Sequence, residues 1–220
     1  MGPLRGLLER RLEARAERLA RWLVPHLPPG ARLLDIGSGT GHNAVALRRL
    51  SGGTCVEVDV VDFHLAGEGP LLFDGERLPI AEERVDVGLL IHVLSFAGRP
   101  ATLLREAGRV ASRGVVVIQT VYHGLHGRLF LRFRGWLLGR GAFRACRALG
   151  LIPWAPDPLA VRRRFSPGEL ESIVRDAGLV LLRAESKGGF ASLTSRTLLV
   201  LARPPEAEGD NRGAVACHTK

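Results

Sequence analysis

The sequence predicts an α/β fold, a doubly wound, mostly parallel sheet with helices on both faces. Three observations carry this. A short apolar strand at Arg32–Ile36 runs straight into Gly37-Ser38-Gly39-Thr40-Gly41 and then into a helical pattern at 42–50, the opening of a nucleotide-binding α/β unit. Further strand-like runs follow at 55–61, 71–73, 85–92, 114–120, 179–185 and 197–202, with helical patterns at 100–111 and 167–178 between some of them. The length, 220 residues with 46% hydrophobic and 24% charged, suits one domain of this kind.

In chain order, residues 4–24 read as an amphipathic helix. Leu4, Leu7, Leu8, Leu12, Leu19, Trp22 and Leu23 fall near helical spacing, while Glu9, Glu13 and Glu17 mix with six Arg on the polar side. Pro25 and the Pro28-Pro29-Gly30 turn end it. Ser51-Gly52-Gly53 separates the first helical pattern of the α/β unit from the second strand. The 167–178 helix opens with Ser166 and Glu169 at capping-box spacing. The whole reads as a single domain at 1–205, with an N-terminal helix at 1–28, a basic and apolar insertion at 123–164, and a polar tail at 206–220 expected to be disordered.

Composition excludes several classes. Cys55, Cys146 and Cys217 are odd in number and without C-x-x-C spacing, which speaks against a disulfide framework or a zinc ribbon and for a reducing compartment. The first residues lack an apolar signal region, and the longest uncharged apolar run, 87–98, falls short of the roughly 20 residues that cross a bilayer. A cytoplasmic chain, or one peripheral to a membrane, is expected. The net charge is +9, and Lys187 and Lys220 are the only lysines among 31 basic residues. Arginine bias of this kind is weak support for nucleic acid by itself. It is concentrated at 123–164, where nine Arg face one acid, Asp157.

The segment from Leu33 to Gly41, Leu-Leu-Asp-Ile-Gly-Ser-Gly-Thr-Gly, resembles motif I of the class I S-adenosylmethionine-dependent methyltransferases, in particular the small, type 11-like members. The likeness continues in order to about residue 120 and more loosely to 202. It implies a Rossmann-like seven-stranded sheet with an antiparallel last strand, and S-adenosylmethionine as cofactor. The residues agree with it. Gly37, Gly39 and Gly41 let the backbone approach a ligand, and Asp35 at the strand end offers a carboxylate to a cationic aminoacid and sulfonium. A dinucleotide fold would instead cradle an anionic pyrophosphate on G-x-G-x-x-G, where an acid repels it.

Asp59 lies 20 residues beyond Gly39, at the end of the second strand, and the resemblance implies that it accepts both ribose hydroxyls; Asp62 is its rival. Asp74-Gly75 resembles the family's loop after the third strand, which implies an adenine amino contact for Asp74. His92 closes the fourth strand, whose end in the family points at the transferable methyl, and an imidazole suits a general base there. His64, Tyr122, His123 and His126 fall at loop or strand ends that could rim the same pocket.

Two departures stand out. Only eleven residues separate Asp59 from Leu71, too few for the helix the family places there, and Ser95-Phe96 stands where many small-molecule members carry a His pair. No histidine or cysteine spacing suggests a metal, and the N/D-P-P-Y segment of nucleic-acid amino-methylating members is missing. The insertion sets Leu129, Phe130, Phe133, Trp136 and Leu137 among Arg128, Arg132 and Arg134. It reads as a lid over the acceptor, as a peripheral membrane contact, or as a helix packed on its own domain. The expectation is a metal-independent methyltransferase for a hydrophobic or acidic small molecule, lipid-like ones included. The alternatives are an RNA methyltransferase and a non-catalytic S-adenosylmethionine-binding partner protein.

Overall fold

Apolar residues with period two set the centre of the sheet. In the computed structural model, which describes residues 3–136, 161–189 and 192–204, Arg32–Ile36 forms β1 with every residue but Arg32 buried. It is followed by α2 (His42–Ser51), β2 (Thr54–Asp59), β3 (Leu71–Leu72) and β4 (Val85–Ile91). Then come α3 (Pro100–Val110), β5 (Ala111–Tyr122), α4 (Gly124–Trp136), α5 (Pro167–Asp176), β6 (Val180–Gly188) and β7 (Thr194–Ala202). The N-terminal helix α1 spans Pro3–Leu23. The expected tail at 206–220, and residues 137–160 of the insertion, lie outside the described residues.

The sheet has seven strands in the order β3-β2-β1-β4-β5-β7-β6. β1 pairs in parallel with β2 and β4, β4 with β5, and β2 with β3, whereas β7 runs antiparallel between β5 and β6. Alternate residues feed two cores. Leu34, Ile36 and Leu90 face the layer holding Leu104 of α3 and Leu170 of α5, and Leu33, Leu89 and Ile91 face Leu19 and Leu23 of α1 with Leu47 of α2. Each fully buried leucine contributes roughly 1.5–3 kcal/mol of apolar transfer, so losing either face costs more than losing any single hydrogen bond of the molecule. The predicted capping box forms: Glu169 N–H donates to Ser166 Oγ, and Ser166 N–H to Glu169 Oε2.

Three of the boundary shifts have a polar cause. The second strand ends at Asp59 rather than 61, because the Val60 and Val61 amides turn back to the Asp59 carboxylate. β5 and β7 run longer than their apolar cores, since Tyr122 pairs with Thr194 and Val121 with Ser195, polar residues that are nonetheless buried. Periodicity in hydrophobicity does not register such pairs.

The segment 60–70 holds no helix, as its length requires. It lies on the glycine turn, with Leu65 and Ala66 N–H donating to the Thr40 carbonyl. That approach fixes the residue at 41: Gly41 has φ +79, and a Cβ there would stand 2.0 Å from the Ala66 carbonyl oxygen.

Candidate active site

At the carboxyl ends of β1, β2 and β4 lies a cavity of about 670 Å³, where open α/β sheets bind their ligands. Gly37, Ser38, Gly39 and Thr40 form one wall, Asp59 and the Asp74-Gly75 loop the next, and Ile91, His92, Val93 and Phe96 the far side.

The glycines are required for different reasons. A Cβ on Gly37 would meet Val93 Cγ2 at 2.3 Å, and one on Gly41 the following loop, so both serve internal packing. Gly39, at φ +58, would project a Cβ into open space on the cavity side. It is the glycine a ligand would approach. Gly41 does not line the cavity.

Asp59 occupies the position the sequence assigned. Its Oδ2 accepts from the Gly39 N–H at 2.8 Å and its Oδ1 from Val60 N–H at 2.7 Å. The carboxylate thus ties β2 to the glycine turn while still facing the cavity. Burial raises its pKa, and the bonds from the Gly39, Val60 and Val61 amides oppose that. Asp62 instead accepts from His64 N–H in the loop and does not line the cavity. Asp74 does line it, with Oδ1 accepting from the Glu76 and Arg77 amides at 2.8 Å each, which holds its pKa below the usual range.

Asp35 sits differently from the expectation of a carboxylate facing the ligand. It is fully buried under the turn, off the cavity wall, and neither carboxylate oxygen has a hydrogen-bond partner. Burial, then the charges of Glu57 and Asp59, pushes its pKa up to about 7. Arg48 pairs with Glu57 on one side. Three acids against one base make the ground beneath the turn electronegative.

His92 has φ +62, a conformation that costs a non-glycine residue of order 1–3 kcal/mol and concentrates at functional sites. Burial, aided by Arg15 and Arg196, lowers its pKa to about 4, so the imidazole facing the cavity is neutral at neutral pH. The other candidates are engaged elsewhere. His64 Nε2 accepts from Gly69 N–H, Tyr122 OH donates to Glu169, and His123 Nε2 lies 2.9 Å from Ser195 Oγ; none of these three, nor His126, lines the cavity.

Leu12 and Arg15 of α1 close the cavity from above, and Arg162 reaches it from the segment before α5. Sequence reasoning left these out. A signal existed for Arg15, which falls between Leu12 and Leu19 on the apolar stripe of α1, where a cation is out of pattern.

These residues fit a cationic ligand carrying a ribose. The buried, unpartnered Asp35 and the acids beside it favour positive charge at the turn, Gly39 leaves room for close approach, and Asp59 and Asp74 present acceptors along the same wall. The family of methyltransferase domains matches residues 34–118, which run from β1 into β5 and contain the whole of this wall. Over these residues the chain is similar to methyltransferase domains. An uncharacterized methyltransferase of Mycobacterium bovis is 35% identical over 142 residues, covering 59% of this chain and 56% of the relative. The chain thus spans about half the length of the curated relatives it matches.

Among solved structures, the methyltransferase complexed with the Trm112 activator of Haloferax volcanii superposes with a TM-score of 0.59 at 18% identity, over 88% of this chain and 93% of its own. The 1,6-didemethyltoxoflavin-N1-methyltransferase of Burkholderia thailandensis, which holds S-adenosylhomocysteine, gives 0.56 at 18%, over 86% and 79%. At these identities the likeness is one of fold. In this chain the 60–70 loop joins β2 to β3, with no helix between them.

Proposed function

We propose that the chain is an S-adenosylmethionine-dependent methyltransferase whose acceptor is a hydrophobic or acidic small molecule. The observation that carries this is the division of the cavity into two chemistries. One half is glycine turn and acids; the other is Leu12, Ile91, Phe96 and Leu103 with the cations Arg15 and Arg162, while Arg99 pairs with Glu76. The first half suits the cofactor and the second an apolar molecule with negative charge. The cavity volume falls within the range of small-molecule sites.

When bound, the sulfonium supplies an already activated methyl group. The protein's task is then alignment and exclusion of water, and orientation alone is worth on the order of 7–11 kcal/mol. Asp59 holds the glycine turn to β2, and Leu12 with Phe96 covers the cavity. His92 offers a neutral imidazole to the acceptor side, as a hydrogen-bond partner that orients the acceptor atom. With its pKa near 4 it is a weak base, so acceptors that ionise easily or carry a lone pair suit it best.

The test uses methyl-labelled S-adenosylmethionine and a cell extract split into small molecules and RNA. Label is expected in the acidic, solvent-extractable small molecules. Recovery in RNA alone would overturn this reading in favour of a nucleic-acid acceptor. A peripheral membrane contact through 123–164 belongs to the same reading: Leu125, Leu129 and Phe133 line up at i, i+4 and i+8 on an exposed face of α4, beside Arg128 and Arg132. Among the described residues, no helix is long and apolar enough to cross a membrane.

A further inference from the structure

A second cavity, about 530 Å³, lies between α4, the segment before α5, and α5 itself. Five arginines line it: Arg128 and Arg132, one helical turn apart on α4, and Arg162, Arg163 and Arg164. The acids present are Glu169 and Asp176. Glu169 is already engaged, accepting from Ser166 N–H, Ser166 Oγ and Tyr122 OH. Among the described residues, no ion pair joins any of the five guanidiniums to a carboxylate.

Crowded cations repel, and side chains free to move into water disperse unless something of opposite charge repays the crowding. Here the main chain fixes where the arginine segment runs. Arg162 and Arg163 N–H both donate to the Ser95 carbonyl, at 2.8 and 3.1 Å, three residues beyond His92. Gln119 holds the same residue through Ser95 Oγ. The arginine segment is thereby anchored to the loop that shapes the acceptor half of the first cavity. Arg162 lines both cavities, and its Nη1 would lie 3.5 Å from a Cβ on Gly98, a residue of the first. The two spaces share that side chain as their common wall.

We propose that the second cavity is a phosphate-binding subsite, in which the guanidiniums hold a phosphoryl group of the acceptor while the rest of the acceptor passes Arg162 to the first cavity. Guanidinium forks match phosphate oxygens bidentately, and several forks can converge on one phosphate where a single carboxylate would leave most of them unpaired. The assignment of the phosphate to an acceptor rests on the methyltransferase reading; the anion site does not.

The experiment titrates the full chain with pyrophosphate, with S-adenosylhomocysteine, and with phosphatidylcholine vesicles with and without phosphatidic acid. Saturable pyrophosphate binding is expected, and Arg132→Gln with Arg164→Gln should weaken it at least about tenfold. The same pair should leave S-adenosylhomocysteine affinity within about twofold, which also reports an intact fold. The control pair Arg10→Gln and Arg11→Gln, on the exposed face of α1, should leave pyrophosphate binding within about twofold. Binding to phosphatidic-acid vesicles that depends on Arg132 and Arg164, without binding of free pyrophosphate, would assign the phosphate to a lipid headgroup; the reverse pattern assigns it to a soluble ester. Absence of both, or an equal loss from the control pair, overturns the proposal. Pyrophosphate binding without S-adenosylhomocysteine binding would leave the anion site standing and remove the methyltransferase reading.

Discussion

Asp59→Ala is expected to weaken S-adenosylhomocysteine binding by roughly 10- to 100-fold, and Asp62→Ala by much less. A hydrogen bond to a charged acceptor is worth about 1.5–3 kcal/mol, and each 1.4 kcal/mol is tenfold in affinity. The Asp59 carboxylate has two uses at once. It faces the cavity, and it receives the Gly39 N–H that fixes the turn against β2. Removing it takes away a ligand acceptor and frees the one glycine whose missing Cβ opens onto the ligand side. Asp62 holds only the His64 amide within the loop. Calorimetric titration of both variants checks the order. Equal losses, or a larger loss at Asp62, would place the ribose contact three residues further along.

Asp35→Asn is expected to change stability in a pH-dependent way. The folded pKa of Asp35 is raised to about 7 from an ordinary 3.8, so between those values the folded state holds a proton that the unfolded chain releases. Stability contributed by the protonated acid is therefore present below about pH 4 and is lost as pH rises through 7. At one pKa unit per 1.36 kcal/mol, the wild type forfeits on the order of 4 kcal/mol across that window. Asn titrates nowhere in it. The variant should gain on the wild type from pH 4.5 to pH 8, whatever constant offset the amide brings. His92 works in the opposite direction: with a pKa lowered to about 4 from 6.5, it costs stability as pH falls through that range. It is common to both proteins and cancels in the difference. Urea midpoints at the two pH values decide it, and a pH-independent difference would show that Asp35 is not a strained carboxylate.

The legible parts of this protein were those written in short, local patterns. Strand, glycine turn and helix at 32–50 announced the α/β unit, and a carboxylate at the end of each of the next two strand regions announced Asp59 and Asp74. The short 60–70 segment likewise excluded a helix by length alone. What the chain brings together from afar was harder to read. Arg162 enters the first cavity because backbone bonds to Ser95, 67 residues earlier, place it there, and no pattern around Arg162 encodes that. Arg15 joins the site because α1 packs across α2. Asp35 is legible as the acid preceding the glycines, but a period-two strand buries alternate residues on both faces of a doubly covered sheet. Its carboxylate therefore sits beneath the turn instead of on the wall.

The measurement that bears most directly on the central claim is calorimetry of the unmodified chain against S-adenosylhomocysteine and NAD. The glycine turn with its three acids and single counter-charge predicts saturable one-to-one binding of S-adenosylhomocysteine that excess NAD does not displace, because the pyrophosphate of NAD would meet that negative ground at the turn. Micromolar binding of NAD with none of S-adenosylhomocysteine would contradict the account.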